Sequence, residues 1–174
     1  MKEIKSTNIT LICSTINPSL SLKFLKSLKG TKCSYEVYII NSSNKKFDFE
    51  DLDQNIKNNL IIYDLPSASL SEARNFALEK IKNTRILAFP DDDCLYPEGL
   101  LDDVLSLYSL NDNTQLKGVC YCYPGQRENS PIKIFKNDFF GACISFNFFI
   151  FNPNNLRFNK NLGIGARFDF GEES

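Results

Sequence analysis

The chain has 174 residues, 43% apolar and 24% charged, with 8 glycines and 7 prolines. That balance fits one soluble globular domain and excludes a disordered, fibrous or loop-dominated chain. A net charge of −1 gives no broad basic surface for nucleic acid, and a count of 0 histidines removes Ser-His-Asp and Cys-His nucleophiles, histidine metal cages and histidine acid–base chemistry.

Ile9 to Cys13 is a β-branched apolar run and predicts a buried strand, ending in Ser14-Thr15. Asn17-Pro18 then fits an N-cap with proline at the first helical position. Leu20, Phe24, Leu25 and Leu28 form a helical stripe, and Gly30 stands where the helix should stop. Tyr35 to Ile40 predicts a second strand, ending in Asn41-Ser42-Ser43. A short helix is expected around Asp51 to Asn58, and a third strand over Leu60 to Tyr63, ending at Asp64.

Ser69-Leu70-Ser71-Glu72 matches a capping box and opens a helix to about Lys82, with Ala73, Phe76, Ala77 and Ile81 inward. Arg85 to Phe89 predicts a fourth strand, stopped by Pro90 and Asp91-Asp92-Asp93. Pro97-Glu98 should start another helix, with Leu101, Val104, Leu105 and Tyr108 inward. Gly118 to Tyr123 and Gly141 to Phe151 predict later strands. Strand and helix thus alternate over the first hundred residues, the pattern of a parallel sheet covered on both faces. Ligands of such sheets bind beyond the carboxyl ends of the strands. The residues gathered there would be Ser14, Thr15, Asn41 to Ser43, Asp64 and Asp91 to Asp93.

The six cysteines form no C-x-x-C pair and sit mostly in apolar runs, as reduced structural thiols of a cytoplasmic protein do. Cys120 and Cys122 would share one face of a strand as packing residues. Met1 to Thr10 lacks the apolar core of a signal peptide, and no run reaches the roughly 18 apolar residues of a spanning helix. No G-x-x-x-x-G-K-[ST] and no glycine-rich turn follows the first strand, which disfavours nucleoside triphosphate hydrolysis and dinucleotide binding.

Three adjacent aspartates repel one another, by roughly 4 kcal/mol for unit charges about 4 Å apart at a surface-like dielectric. In an extended segment Asp91 and Asp93 would point one way and Asp92 the other. Two converging carboxylates suit Mg²⁺ or Mn²⁺, completed by water and a substrate phosphate. A solvated acidic loop capping the next helix is the other reading of the same residues. Arg74, near the positive end of its helix, could meet a phosphate, pair with the aspartates, or be an ordinary surface arginine. Glu172-Glu173 is a further carboxylate pair; a pair at a chain end is ordinarily solvated.

Together these segments resemble a family 2 glycosyltransferase of the inverting kind. The matching text is I-T-L-I-C-S-T-I-N, V-Y-I-I-N-S-S, S-L-S-E-A-R-N, I-L-A-F-P-D-D-D-C-L-Y-P-E-G-L and L-G-I-G-A-R-F-D-F-G-E-E-S, in family order and over essentially the whole chain. The resemblance implies an α/β fold of the GT-A type, with a Rossmann-like, mostly parallel sheet flanked by helices. It implies one domain over residues 1–174, ending early at its C-terminal side.

It also implies roles. Ser14, Thr15 and Asn41 would hold the base and ribose, Arg74 the diphosphate, and Asp91 and Asp92 the nucleotide sugar. Asp93 and Asp91 would hold Mg²⁺ or Mn²⁺. Glu173, with Glu172 beside it, would be the catalytic base, and Gly163 and Gly165 would bend the loop leading to it. The implied partners are a nucleoside-diphosphate sugar, foremost a UDP-sugar, and a saccharide or lipid-linked acceptor, as in polysaccharide biosynthesis. Peripheral membrane association would run through a C-terminal region the chain lacks. Two departures stand out. Asn41 lies where the family often has an aspartate contacting uracil, and the terminal pair ends in Glu rather than Asp. A non-catalytic donor-binding fragment is the alternative reading.

Overall fold

The computed structural model describes residues 7–110, 116–120, 132–135, 148–153 and 155–161. Their elements, in chain order, are β1 (Thr7–Thr15), α1 (Pro18–Ser27), β2 (Tyr35–Asn41), α2 (Gln54–Asn58), β3 (Leu60–Asp64), α3 (Leu70–Lys80), β4 (Thr84–Ala88), α4 (Leu100–Leu110), β5 (Leu116–Cys120), β6 (Ile132–Phe135) and β7 (Phe148–Phe151). The strands form one seven-stranded sheet, ordered β3-β2-β1-β4-β7-β5-β6.

β1 pairs in parallel with β2 and β4, and β2 with β3. β7 runs antiparallel to both β4 and β5, and β6 antiparallel to β5. Five strands therefore share one direction. The sheet is mostly parallel, as expected; β6 and β7 run the other way, β7 entering the slot between β4 and β5 from the opposite end. The four-residue β6 was not expected, since I-K-I-F has too few residues to declare a period.

The apolar runs of β1 and β2 are continuous because both faces are covered. Ile9, Leu11 and Cys13 of β1 and Val37 and Ile39 of β2 pack with α1, α2 and α4 through Phe24, Leu25, Ile56, Leu101 and Val104. Ile12, Ile40 and Leu87 face the other way and pack with Ala73 and Ala77 of α3. Among the described residues no helix is long and apolar enough to cross a membrane.

Helix boundaries differ in detail from the sequence pattern: α2 starts at Gln54 rather than near Asp51, with Asp53 as its N-cap accepting from Asn55 N–H at 2.8 Å. Asn17 is the N-cap of α1, but its side chain makes no capping bond; its N–H donates instead to Thr15 Oγ1 at 2.9 Å. α3 stops at Lys80 rather than Lys82, since Ile81 is already extended at ψ 126°. α4 starts at Leu100 rather than Pro97, because Gly99 has φ +80° and cannot continue a right-handed helix. Gly30, at φ +87°, follows α1 as expected. The capping box of α3 forms in full, with Ser69 N–H donating to Glu72 Oε2 at 3.0 Å and Glu72 N–H to Ser69 Oγ at 3.3 Å. The bond from Ser69 N–H, then that from the Ser69 hydroxyl at 2.9 Å, hold the Glu72 carboxyl below its ordinary value.

Candidate functional site

The carboxyl ends of β1, β2 and β3 are level. Thr15 lies opposite Asn41, and Asn41 opposite Asp64. The chain beyond each strand is tied to its neighbour. Ser42 N–H donates to Thr15 O at 2.8 Å, Leu65 N–H to Asn41 O at 2.9 Å, and Ser67 N–H to Ser42 O at 3.0 Å. The last bond accompanies a left-handed backbone at Ser67, φ 63°.

Asn41 is 1% exposed, and its amide is committed to its own surroundings. Nδ2 donates to Lys45 O and to Asp64 Oδ1, both at 2.8 Å. Oδ1 accepts from Ser43 N–H at 3.1 Å and Ser43 Oγ at 2.6 Å. That uses two donors and two lone pairs, the full capacity of the group. Asn41 therefore sits at the expected edge but frames it; its side chain offers no further donor or acceptor to a base. The exposed carboxylate there belongs to Asp64.

The acidic triplet is not extended. Cys94 N–H donates to Asp91 O at 3.3 Å, closing a turn over Asp92 and Asp93, so strand alternation does not govern the three side chains. Asp92 reaches back to β1 and accepts from Thr15 Oγ1 at 2.5 Å, a short charge-assisted bond. Burial raises the Asp92 carboxyl, the Thr15 bond opposes that shift, and the Asp93 charge adds to it. Asp91 and Asp93 are exposed.

The turn is anchored from behind by buried Cys94 and Tyr96, which flank exposed Leu95. Tyr96 N–H donates to Ser27 Oγ of α1 at 3.0 Å, and its ring meets Phe24 edge-on at 5.4 Å. Burial first, then the charges of Asp91, Asp93 and Asp92, push the Cys94 thiol up to about 12. Negative potential is thus felt in the core behind the turn.

Arg74 is not a surface arginine. It is 5% exposed, and its guanidinium lies against two rings, 5.5 Å from the centroid of Phe89 and 5.2 Å from that of Phe158. The rings themselves meet edge-on at 4.9 Å. Arg74 Nη2 stands 4.0 Å from Asp91 Oδ1, which places a fixed cation beside the triplet. The neighbouring Asn75 holds Phe158 in place: its Nδ2 donates to Phe158 O and its Oδ1 accepts from Phe158 N–H, each at 2.9 Å. Sequence reading missed Phe89, Phe158 and Asn75. Asn75 stands in the A-R-N segment already singled out, whereas Phe158 lies 83 residues further along the chain and carries no local signal.

Ser14 lies beside Thr15, with its Oγ buried and without a hydrogen-bond partner among the described residues. Glu172, Glu173, Gly163, Gly165 and Cys122 lie outside the described residues, as does the side chain of Cys120. Among the described residues no three Cys, Asp or Glu side chains converge as a metal cage. A Mg²⁺ or Mn²⁺ ion needs only one or two protein carboxylates when phosphate and water complete the octahedron. Exposed Asp91 and Asp93, with Asp92 drawn away by Thr15, fit that donor set. A cleft of about 280 Å³, lined by Lys82, Asn83, Thr84 and Arg157 among others, opens at the amino end of β4 and shares no residue with this edge.

No protein-family model matches the chain, and no curated protein matches it. Solved structures do. S. aureus TarS residues 1–349 aligns with TM-score 0.62 at 17% identity, over 83% of this chain and 47% of that one. The same fragment in complex with UDP-GlcNAc aligns with TM-score 0.56 at 18% identity, over 82% and 45%. The mannosyltransferase PcManGT from Pyrobaculum calidifontis, in complex with GDP-Man and Mn²⁺, aligns with TM-score 0.51 at 17% identity, over 69% and 36%. The chain spans less than half the length of each. At these identities the likeness is one of fold: a mixed α/β sheet flanked by helices, of the GT-A glycosyltransferase type.

Proposed function

We propose that the chain binds a nucleoside-diphosphate sugar, foremost a UDP-sugar, and serves transfer of the sugar to an acceptor hydroxyl with inversion. The observation that supports this most is the joining of Arg74 and the Asp91–Asp93 turn at the carboxyl edge of a GT-A sheet. Asp93 and Asp91 would hold Mg²⁺ or Mn²⁺, which would supply charge neutralisation for the diphosphate leaving group. Arg74 would face the diphosphate, already held against Phe89 and Phe158, so little side-chain freedom is lost on binding. Thr15 would orient Asp92 toward the ribose side of the edge. Glu173, flanked by Glu172, would take the proton of the acceptor hydroxyl as that oxygen attacks the anomeric carbon. The implied acceptor is a saccharide or a lipid-linked saccharide.

The solved neighbours lend the donor class, since one holds UDP-GlcNAc and another GDP-Man with Mn²⁺. The alternative reading is a non-catalytic donor-binding module. Calorimetry with nucleoside diphosphates, with and without Mn²⁺, tests the site. Metal-dependent binding that Asp93→Ala abolishes is the expected result, and binding unchanged by metal or by that substitution rejects the assignment. Donor hydrolysis by this chain equal to that of a longer one would reject the module reading.

A further inference from the structure

We propose that Asn75 is a positioning residue that sets the preference of the site for a diphosphate over a monophosphate, by pinning Phe158 against Arg74. This rests on the donor-binding reading above and adds the device that orients its cation.

The cation is held without being neutralised by its holders. Arg74 Cζ lies 5.5 Å from the centroid of Phe89 and 5.2 Å from that of Phe158. A ring attracts a guanidinium through its π face and brings no net negative charge to it. The side chain is thereby confined while its charge stays available to an anion. Arg74 Nη2 stands 4.0 Å from Asp91 Oδ1. Arg74 and a divalent cation on Asp91 would therefore stand side by side, a partner for each of two adjacent phosphates. A monophosphate lacks the second group.

The two rings are secured by different means. Phe89 directly follows β4 and is packed in the core with Leu87, Ala73 and Ala77. Phe158 lies in residues 155–161, which form neither helix nor strand. Its fastening is Asn75, the residue next to Arg74 on α3 and only 4% exposed. Asn75 Nδ2 donates to Phe158 O and Oδ1 accepts from Phe158 N–H, each at 2.9 Å. A side-chain amide has one donor end and one acceptor end, so it meets both backbone groups of a single residue as a neighbouring strand does. An aspartate could accept there but not donate.

Arg74 and Asn75 thus divide one task. The helix, with its complete capping box, fixes the backbone of both. Arg74 carries the charge, and Asn75 holds a ring that confines it. Without the clamp, Phe158 is released and Arg74 regains rotamer freedom, which binding a phosphate must then remove. The loss falls on the phosphate that Arg74 meets and spares the rest of the nucleotide.

The test is calorimetric titration with UDP and UMP, and with GDP and GMP, in Mn²⁺, for the natural sequence, Asn75→Leu and Phe158→Leu. Asn75→Leu keeps the bulk of the side chain and removes both hydrogen bonds. Phe158→Leu keeps the clamp and removes the ring. The natural sequence should bind a diphosphate at least about tenfold more tightly than its monophosphate. Either variant should lose about tenfold in diphosphate affinity, with monophosphate affinity unchanged. The ratio of the two affinities does not depend on the folded fraction, so a merely destabilised variant leaves it where it was. If one variant fails to fold, the other decides. If a folded variant keeps the natural ratio, or if the natural sequence binds diphosphate and monophosphate alike, the proposal is wrong and the donor site stands. If none of the four nucleotides binds the natural sequence, the donor reading falls and this proposal with it.

Discussion

The two ends of the carboxyl edge are built on opposite principles. At the β2–β3 end, a buried amide meets every hydrogen-bonding demand of its loop, and the backbone beyond three strands is laced together. At the β4 end, three carboxylates share a four-residue turn, with Arg74 as the cation beside it at 4.0 Å. The first end is complete as it stands. The second carries an excess of negative charge that a cation would relieve. Under the proposed function, the first end should lose stability when altered and the second should lose ligand.

Asn41→Asp gives the largest expected effect. It would remove the donors to Lys45 O and Asp64 and set a buried carboxylate against another. The cost should be about 3 kcal/mol or more at neutral pH. Repulsion and burial both favour the protonated form in the fold, so the loss should shrink as the pH falls. Urea unfolding at several pH values checks both points. Asp93→Ala is the contrast. Its side chain is exposed, so stability without metal should stay within about 0.5 kcal/mol, while metal-dependent nucleotide binding disappears. A similar loss of stability in both variants would erase the distinction.

Thr15→Val joins the two ends. It deletes the bond to Asp92 and the acceptor for Asn17 N–H, and should cost about 2 kcal/mol by urea unfolding. The smallest effect lies away from the edge. Burial, then the charge of Asp102, raises the Cys33 thiol to about 12. At pH 8 it is almost wholly protonated, so iodoacetamide should modify it slowly until the chain unfolds. Asp102→Asn keeps an acceptor for Cys33 N–H but removes the negative charge. The thiol should then ionise at lower pH and alkylate somewhat faster, as mass spectrometry would read.

The legible parts were local ones. The strand runs at Ile9 and Tyr35, the capping box at Ser69 and the stop at Gly30 each follow from a few adjacent residues with one physical preference. The same holds for the gathering of Thr15, Asn41, Asp64 and the triplet on one edge, which needs only alternating strands and helices. The partnerships on that edge were not legible. Thr15 bonds Asp92 across 77 positions, and Phe158 closes over Arg74 only because β4 and the segment after β7 meet in space. The four hydrogen bonds that occupy the Asn41 amide were likewise not legible.

The sequence by itself narrowed the candidate chemistry to carboxylates and one arginine. Zero histidines and the D-D-D and A-R-N segments leave little else. Tertiary structure alone decided which of those groups face outward. Hydrogen bonds and ring contacts between distant segments draw Asp92 inward, bury Arg74 against two rings and occupy Asn41. They leave Asp91, Asp93 and Asp64 exposed. Orientation depends on which polar atoms are already satisfied, and that is a property of partners brought together by folding.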